Sequence, residues 1–206
     1  MDLKQIDALI SKFINENKII NSILTIFLKT INNSYLLGVD TIEKNIEANL
    51  DYKVDNKAIK FLRKTSFEYV KDINTDLANK LRGALERSII SGKSFTEVTK
   101  EVKGIFKTTK ARAESIVKTE TSRAYNIGSF TAAQEAQKEG YKIRKYYAAV
   151  IDNRTSPLCR RLTRKYTRDN AININQKFKD DMTGESWLFP PTHTNCRSEA
   201  IYILID

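Results

Sequence analysis

The chain has 206 residues, of which 41% are hydrophobic and 29% are charged, and its formal net charge is +10. This length and composition suit a folded protein with one good core or two small ones. The longest apolar stretch, residues 19–28, is interrupted by polar residues and is short of the roughly 20 that cross a bilayer, so we expect no membrane contact.

The first half of the chain is predicted to be helical. Apolar residues recur there at the spacing of amphipathic helices. The segments with this pattern are residues 6–13, 20–31, 58–70 and 73–89. Gly92 is expected to end the last of them, and Ser94 with Glu97 forms a capping box that opens another short helix. Residues 1–92 are therefore interpreted as a helical bundle or arm.

A long helix is predicted from Thr109 to Lys138, and two strands follow, at residues 141–151 and 200–205. Residues 93–206 then form a second domain, in which a small antiparallel sheet packs on the long helix. The fold class is α+β. Glu120 lies on the apolar face of this helix, and it is either exposed at the edge of that face or paired with Arg154 or Arg197.

Positive charge is concentrated between residues 138 and 168, where ten basic residues stand against two acidic ones. Such a patch attracts nucleic acid phosphates through counterion release, without sequence readout. The alternative is a solvated face that has no partner. The residues predicted to contact double-stranded DNA are Lys142, Arg144, Lys145, Arg160, Arg161, Arg164, Lys165 and Arg168.

Both cysteines and the single histidine fall in two short segments near the C-terminus, and they are expected on two loops at one end of the sheet. Their spacing suits a metal site or a disulfide. Polar residues beside them suggest a hydrogen-bonded clasp between the two loops, because an Arg fork pairs strongly with a carboxylate. The residues of the predicted clasp are Glu120, Asp152, Arg154, Asn195 and Arg197.

Three strings taken together resemble the phage Mu F-like head morphogenesis domain, which occurs in minor capsid proteins of tailed phages. They are Lys118-Thr119-Glu120-Thr121, Asp152-x-Arg154-Thr155-x3-Cys159 and Phe189-Pro190-Pro191-x-His193-x-Asn195-Cys196-Arg197. The resemblance covers about residues 90–206. It implies a minor head protein, made in the bacterial host cytoplasm and housed in the capsid interior. Implied partners are the portal, capsid and scaffold proteins, and some members bind double-stranded DNA.

In many members of that family, cysteines stand where this chain has Ser156 and Ser198. Zinc, the one cofactor that the residues suggest, would have Cys159, His193 and Cys196 as protein ligands, with Asp152 or water as the fourth. A disulfide between the two cysteines and a pair of packed free thiols are the other two states that the sequence leaves open.

Two other functions remain open. The first is a metal-dependent nuclease that uses His193, Asn195 and Asp152, but a single histidine cannot be both base and metal ligand. We therefore expect no catalytic residue and no substrate turnover, and instead a role in head morphogenesis, procapsid assembly and genome delivery. The second is a phage-delivered toxin, which would need an additional effector domain; none is expected after Asp206.

Overall fold

The computed structural model describes residues 18–46, scattered positions between residues 58 and 84, and residues 95–205. The chain divides into two compact units. The first consists of Met1–Leu28 and Arg63–Val117, and the second of Lys29–Leu62 and Lys118–Asp206. The predicted domain boundary between residues 92 and 93 stays a prediction.

The described elements confirm an α+β protein. The helices are α1 (Lys18–Asn45), α2 (Phe95–Lys138) and α3 (Pro157–Lys165). The strands are β1 (Ile143–Ala149), β2 (Ile172–Asn173), β3 (Phe178–Lys179), β4 (Ser186–Trp187) and β5 (Ser198–Leu204). The described positions between 58 and 84 are also helical. Among the described helices, none is both long enough and apolar enough to span a bilayer.

Helix α2 differs from the prediction, because the short helix after the capping box and the long helix from Thr109 are one helix of 44 residues. Gly104, which lies within the predicted short helix, does not interrupt the long one. The predicted segment 20–31 forms part of α1, whereas the predicted helix at residues 6–13 lies outside the described residues. Helix α3 was not predicted, and its nine residues include Cys159, for which the sequence pattern predicts a loop.

The second unit is built around a three-stranded antiparallel sheet in the order β2-β1-β5. Tyr147 of β1 lies opposite Ala200 of β5, so that both face the core. The free edge of β5 meets α2, where the buried Asn126 side chain accepts a hydrogen bond from the backbone N–H of Ala200 at 2.9 Å. This contact satisfies a backbone donor on an edge strand, which would otherwise be open to pairing with another chain.

Helices α1 and α2 approach each other closely at two glycines of the second unit. A Cβ on Gly38 would lie 2.2 Å from the carbonyl oxygen of Tyr125, and one on Gly128 would lie 2.0 Å from that of Tyr35. The hydroxyl of Ser129 also donates to the carbonyl oxygen of Gly38 at 3.1 Å. The two backbones are therefore in direct contact, and only glycine leaves room for it.

We predict that Gly128→Ala lowers the free energy of unfolding by about 1–3 kcal/mol, because the added methyl group forces the helix backbones apart. Denaturant unfolding followed by circular dichroism measures the change. Gly104→Ala is the matched control, since nothing lies within 4 Å of a Cβ there. In an exposed helix this control should raise stability by about 0.5–1 kcal/mol. Equal effects of the two substitutions would contradict the close crossing.

Candidate functional site

The site begins at the first turn of α3. Ser156 is the N-cap of this helix, and its hydroxyl accepts a hydrogen bond from the backbone N–H of Cys159 at 3.1 Å. Pro157 follows at the first helical position, where the lack of an N–H has no cost. This short cap fixes the Cys159 side chain, which is 2% exposed. The thiol thus lies near the positive end of a helix.

A second segment, between β4 and β5, brings the other two groups to the same place. It starts at the buried cis peptide bond between Pro190 and Pro191 and turns at Asn195, whose φ is +58°. The backbone N–H of Asn195 donates to the Thr119 hydroxyl of α2 at 2.9 Å. Cys196, directly after the turn, is 4% exposed. The tight turn places the His193 ring and the Cys196 thiol on the same side of the segment.

Cys159, His193 and Cys196 converge, with their nitrogen and sulfur atoms all within 4.8 Å of one another. The two sulfurs are 3.8 Å apart, and His193 Nε2 is 3.1 Å from the Cys159 sulfur. Ser156 Oγ lies 2.9 Å from the same nitrogen. On the other side of the ring, His193 Nδ1 donates to the carbonyl oxygen of Thr194 at 2.8 Å. This bond leaves the Nε2 lone pair directed at the sulfur and the hydroxyl.

The hydroxyl of Tyr147, on β1, lies beneath the cluster. It is 3.3 Å from the Cys159 sulfur and 3.9 Å from that of Cys196. Burial raises the pKa of Tyr147, so it remains a neutral hydrogen-bond donor. The bond with Cys196 holds the pKa of the Cys159 thiol below its usual range, and the same bond raises the pKa of Cys196. The cluster therefore favours one thiolate, and the Ser198 hydroxyl also contacts it.

The predicted clasp is built mainly by Asp152 and Arg197. The guanidinium donates to both carboxylate oxygens, at 2.6 and 2.9 Å, and holds the pKa of Asp152 well below its usual range. Arg154 lies further away, with 3.6 Å between its Nη2 and the carboxylate of Asp152. Asp152 is thus committed to Arg197 and is not among the groups that converge with the thiols, so its prediction as a fourth ligand is wrong. The backbone N–H of Asn195 donates to Thr119 of α2 and not to a member of the predicted clasp.

Both predictions for Glu120 are wrong. Its side chain is buried, at 2% exposure, and it pairs with Arg123 one turn further along α2, at 3.1 Å. It does not pair with Arg154 or Arg197. The physical reason is that Arg197 is already held by Asp152, while an i, i+3 arginine on the same helix needs no long-range contact.

Seven of the eight predicted DNA-binding residues separate into two groups. Arg161 donates to both carboxylate oxygens of Asp180 at 2.8 Å, and Arg160 donates to the carbonyl oxygens of Asp152 and Thr155. Both arginines are half-buried and serve the fold. The members that are exposed are Lys142, Arg144, Arg164, Lys165 and Arg168.

The prediction that Lys145 contacts DNA is wrong, because its side chain is fully buried. Its Nζ donates to the carbonyl oxygen of Leu188 at 2.5 Å and lies 4.9 Å from the ring centre of Phe178 and 5.8 Å from that of Phe130. Burial lowers the pKa of Lys145 to about 7. The alternation of side chains along a strand could have predicted this burial, because Lys145 lies two residues from the buried Ile143 and from Tyr147.

Sequence reasoning also missed the roles of Asn126 and of Tyr147. The role of Asn126 could have been predicted, because an asparagine in the middle of a helix is a polar group that must find a hydrogen-bond partner. Tyr147 is 1% exposed and packs edge-on against Phe178, with 5.3 Å between ring centres.

The contacts among the described residues do not favour a nuclease. His193 has one nitrogen bonded to the Thr194 carbonyl and the other directed at Ser156 and Cys159, so neither is presented to an attacking water. Asp152 is held by Arg197. The geometry instead suits a buried cross-link between α3 and the segment that precedes β5.

Comparison with known proteins gives two further findings. The family described as Phage Mu protein F like protein matches residues 79–201. A curated relative, Minor head protein GP7 of Bacillus phage SPP1, is 25% identical over 134 residues, which cover 63% of this chain and 42% of the relative. The chain therefore spans less than half the length of that relative. No solved structure matches it.

We predict that Lys145 makes stability depend on pH. Its pKa is about 7 in the folded state and close to the ordinary value of 10.5 in the unfolded state. Between these values only the unfolded chain binds the proton, so stability should rise with pH by about 1 kcal/mol per unit from roughly pH 8 to 10. Urea unfolding across this range measures the slope.

Lys145→Met should lose this part of the slope, whereas Lys142→Met, which removes an exposed lysine near the start of the same strand, should keep it. Parallel pH profiles for the native chain and Lys145→Met would contradict a lysine that is neutral in the folded state.

Proposed function

The chain belongs to the phage Mu protein F-like family, a family of phage head proteins, and we propose that it binds double-stranded DNA in the head through an exposed basic face. Within that role it is a minor head protein of the virion, without substrate turnover. Its partners in assembly are the portal and the capsid or scaffold proteins, and it acts in procapsid assembly and genome delivery. The family match and the name of the SPP1 relative support the assignment as a minor head protein.

The observation that supports DNA binding is the exposed basic face of the second unit. It consists of Arg144, Arg164, Lys165, Arg168, Lys177 and Lys179, all of which are exposed.

Backbone and side-chain contacts hold these residues near one another. Lys165 Nζ donates to the carbonyl oxygen of Lys179 at 3.1 Å, which brings the end of α3 against β3. Arg144 donates to the carbonyl oxygen of Ala171, whose own N–H donates to the carbonyl oxygen of Arg168. The end of α3, the turn before β2 and the strand β1 therefore contribute to one surface.

Charge on this face exceeds what its own acidic neighbours neutralise. Asp181 pairs with Lys165 at 2.6 Å, and the nearby Asp180 is occupied by Arg161. Within the described residues, Arg164 and Arg168 have no carboxylate partner. Exposed cations that are not paired internally are those that neutralise phosphates and release counterions. Such contacts bind the DNA backbone and do not read its sequence.

We predict that Arg164→Ala with Arg168→Ala weakens binding equally across unrelated DNA sequences. The slope of log K against log salt should become less steep by about 0.9 for each phosphate that is no longer neutralised, hence by roughly 1.8 for the pair. A gel-shift or fluorescence anisotropy titration over a salt series measures both the affinity and the slope.

The matched control is Lys29→Ala with Lys44→Ala, which removes the same charge from exposed positions on α1. Its salt slope should equal that of the native chain. An equal loss of affinity in both double variants would show attraction by net charge alone and would contradict a defined face. DNA cleavage that requires Mg²⁺ and disappears in His193→Ala would contradict the assignment as a protein without turnover.

A further inference from the structure

The geometry points to a zinc site formed by Cys159, His193 and Cys196, with its fourth position beside the Ser156 hydroxyl. The site would join the start of α3 to the segment that precedes β5. Its role is structural, since both cysteine ligands are buried within the fold.

The distance between the two sulfurs matches that of a zinc site. A zinc ion bound by two thiolates at about 2.3 Å with tetrahedral angles holds the sulfurs about 3.8 Å apart. The sulfurs of Cys159 and Cys196 are 3.8 Å apart. His193 Nε2 is 3.1 Å from the sulfur of Cys159, a few tenths of an ångström closer than a bound ion requires. Zinc binding would lengthen this distance by a few tenths of an ångström.

The chemistry of the ligands also favours zinc. Two sulfurs and an imidazole nitrogen are ligands that bind zinc in preference to the hard cations, which favour oxygen. The hydrogen bond from His193 Nδ1 to the Thr194 carbonyl oxygen, at 2.8 Å, is the supporting contact that metal-bound histidines use. It fixes the ring orientation and leaves Nε2 as the coordinating nitrogen.

The residues around the cluster shield it from water and place hydroxyl groups near the sulfurs. Cys159 and Cys196 are 2% and 4% exposed, so the ion would be shielded from bulk water. Hydroxyl groups of Tyr147 and Thr192 lie 3.3 to 3.9 Å from the sulfurs, where they stabilise thiolate charge. Ser156 Oγ, 2.9 Å from His193 Nε2, is placed to coordinate directly or to hold a coordinating water. Zinc binding here does not depend on DNA binding, so failure of either leaves the other untouched.

The test uses the full chain purified under reducing conditions with zinc supplied. We expect about one zinc ion per chain by mass spectrometry of the metal. Replacement by Co²⁺ should give thiolate-to-cobalt charge-transfer absorption and the intense visible bands of a four-coordinate ion. Cys196→Ser should lose about half of the charge-transfer absorption if cobalt still binds, because one thiolate remains, and all of it if binding is lost. Ser156→Cys should raise it about 1.5-fold, because three thiolates replace two in the tetrahedral set.

Ser186→Cys is the control for an added thiol, since Ser186 is exposed on β4, outside the cluster. It should leave the cobalt spectrum unchanged. A chain that carries no metal and gives no charge-transfer absorption with Co²⁺ would overturn the site. So would a native chain with no reactive thiols after denaturation, which would mean a disulfide, or equal spectra for the two added cysteines. The added-cysteine pair keeps the test decisive even where Cys196→Ser does not fold.

Discussion

The C-terminal part of the fold depends on one buried contact, the meeting of Cys159, His193 and Cys196 above the hydroxyl of Tyr147. The sheet beneath it has three strands, one of them only two residues long. A sheet of this size supplies little apolar burial of its own, and small units of this kind commonly need an added cross-link. The cluster provides a place for one, because it joins a helix start, a central strand and the segment that leads into the last strand.

The basic residues of the second unit divide into those that hold the fold together and those that remain exposed. Arg161 and Arg197 hold the carboxylates of Asp180 and Asp152, and Lys145 lies buried against the aromatic core. These side chains maintain the fold and are not available to a partner. The cations that remain exposed lie at the end of α3 and on the adjacent turn and strands. A head protein that contacts packaged DNA needs such a surface, and it needs no base-reading groups.

The sequence predicted what local pattern determines, namely helix at the described positions of the first half, the long helix and the two main strands. It also predicted that both cysteines converge with the histidine. It did not predict α3, because four of the nine residues are basic and the apolar face, Cys159 with Leu162, is too short to show a helical period, although Ser156 and Pro157 form a standard helix start. Nor did it predict the partner of Glu120, since the choice between Arg123 and Arg197 depends on which arginine Asp152 occupies. The close crossing at Gly38 and Gly128 depends on how two distant helices pack, which periodicity does not encode.

The most direct measurement is X-ray absorption spectroscopy at the zinc edge on the full chain. We predict a first shell of two sulfurs at about 2.3 Å and light atoms at about 2.0–2.1 Å, with the multiple-scattering signature of one imidazole. A shell of oxygen and nitrogen alone, or no bound zinc, would contradict a metal cross-link at Cys159, His193 and Cys196.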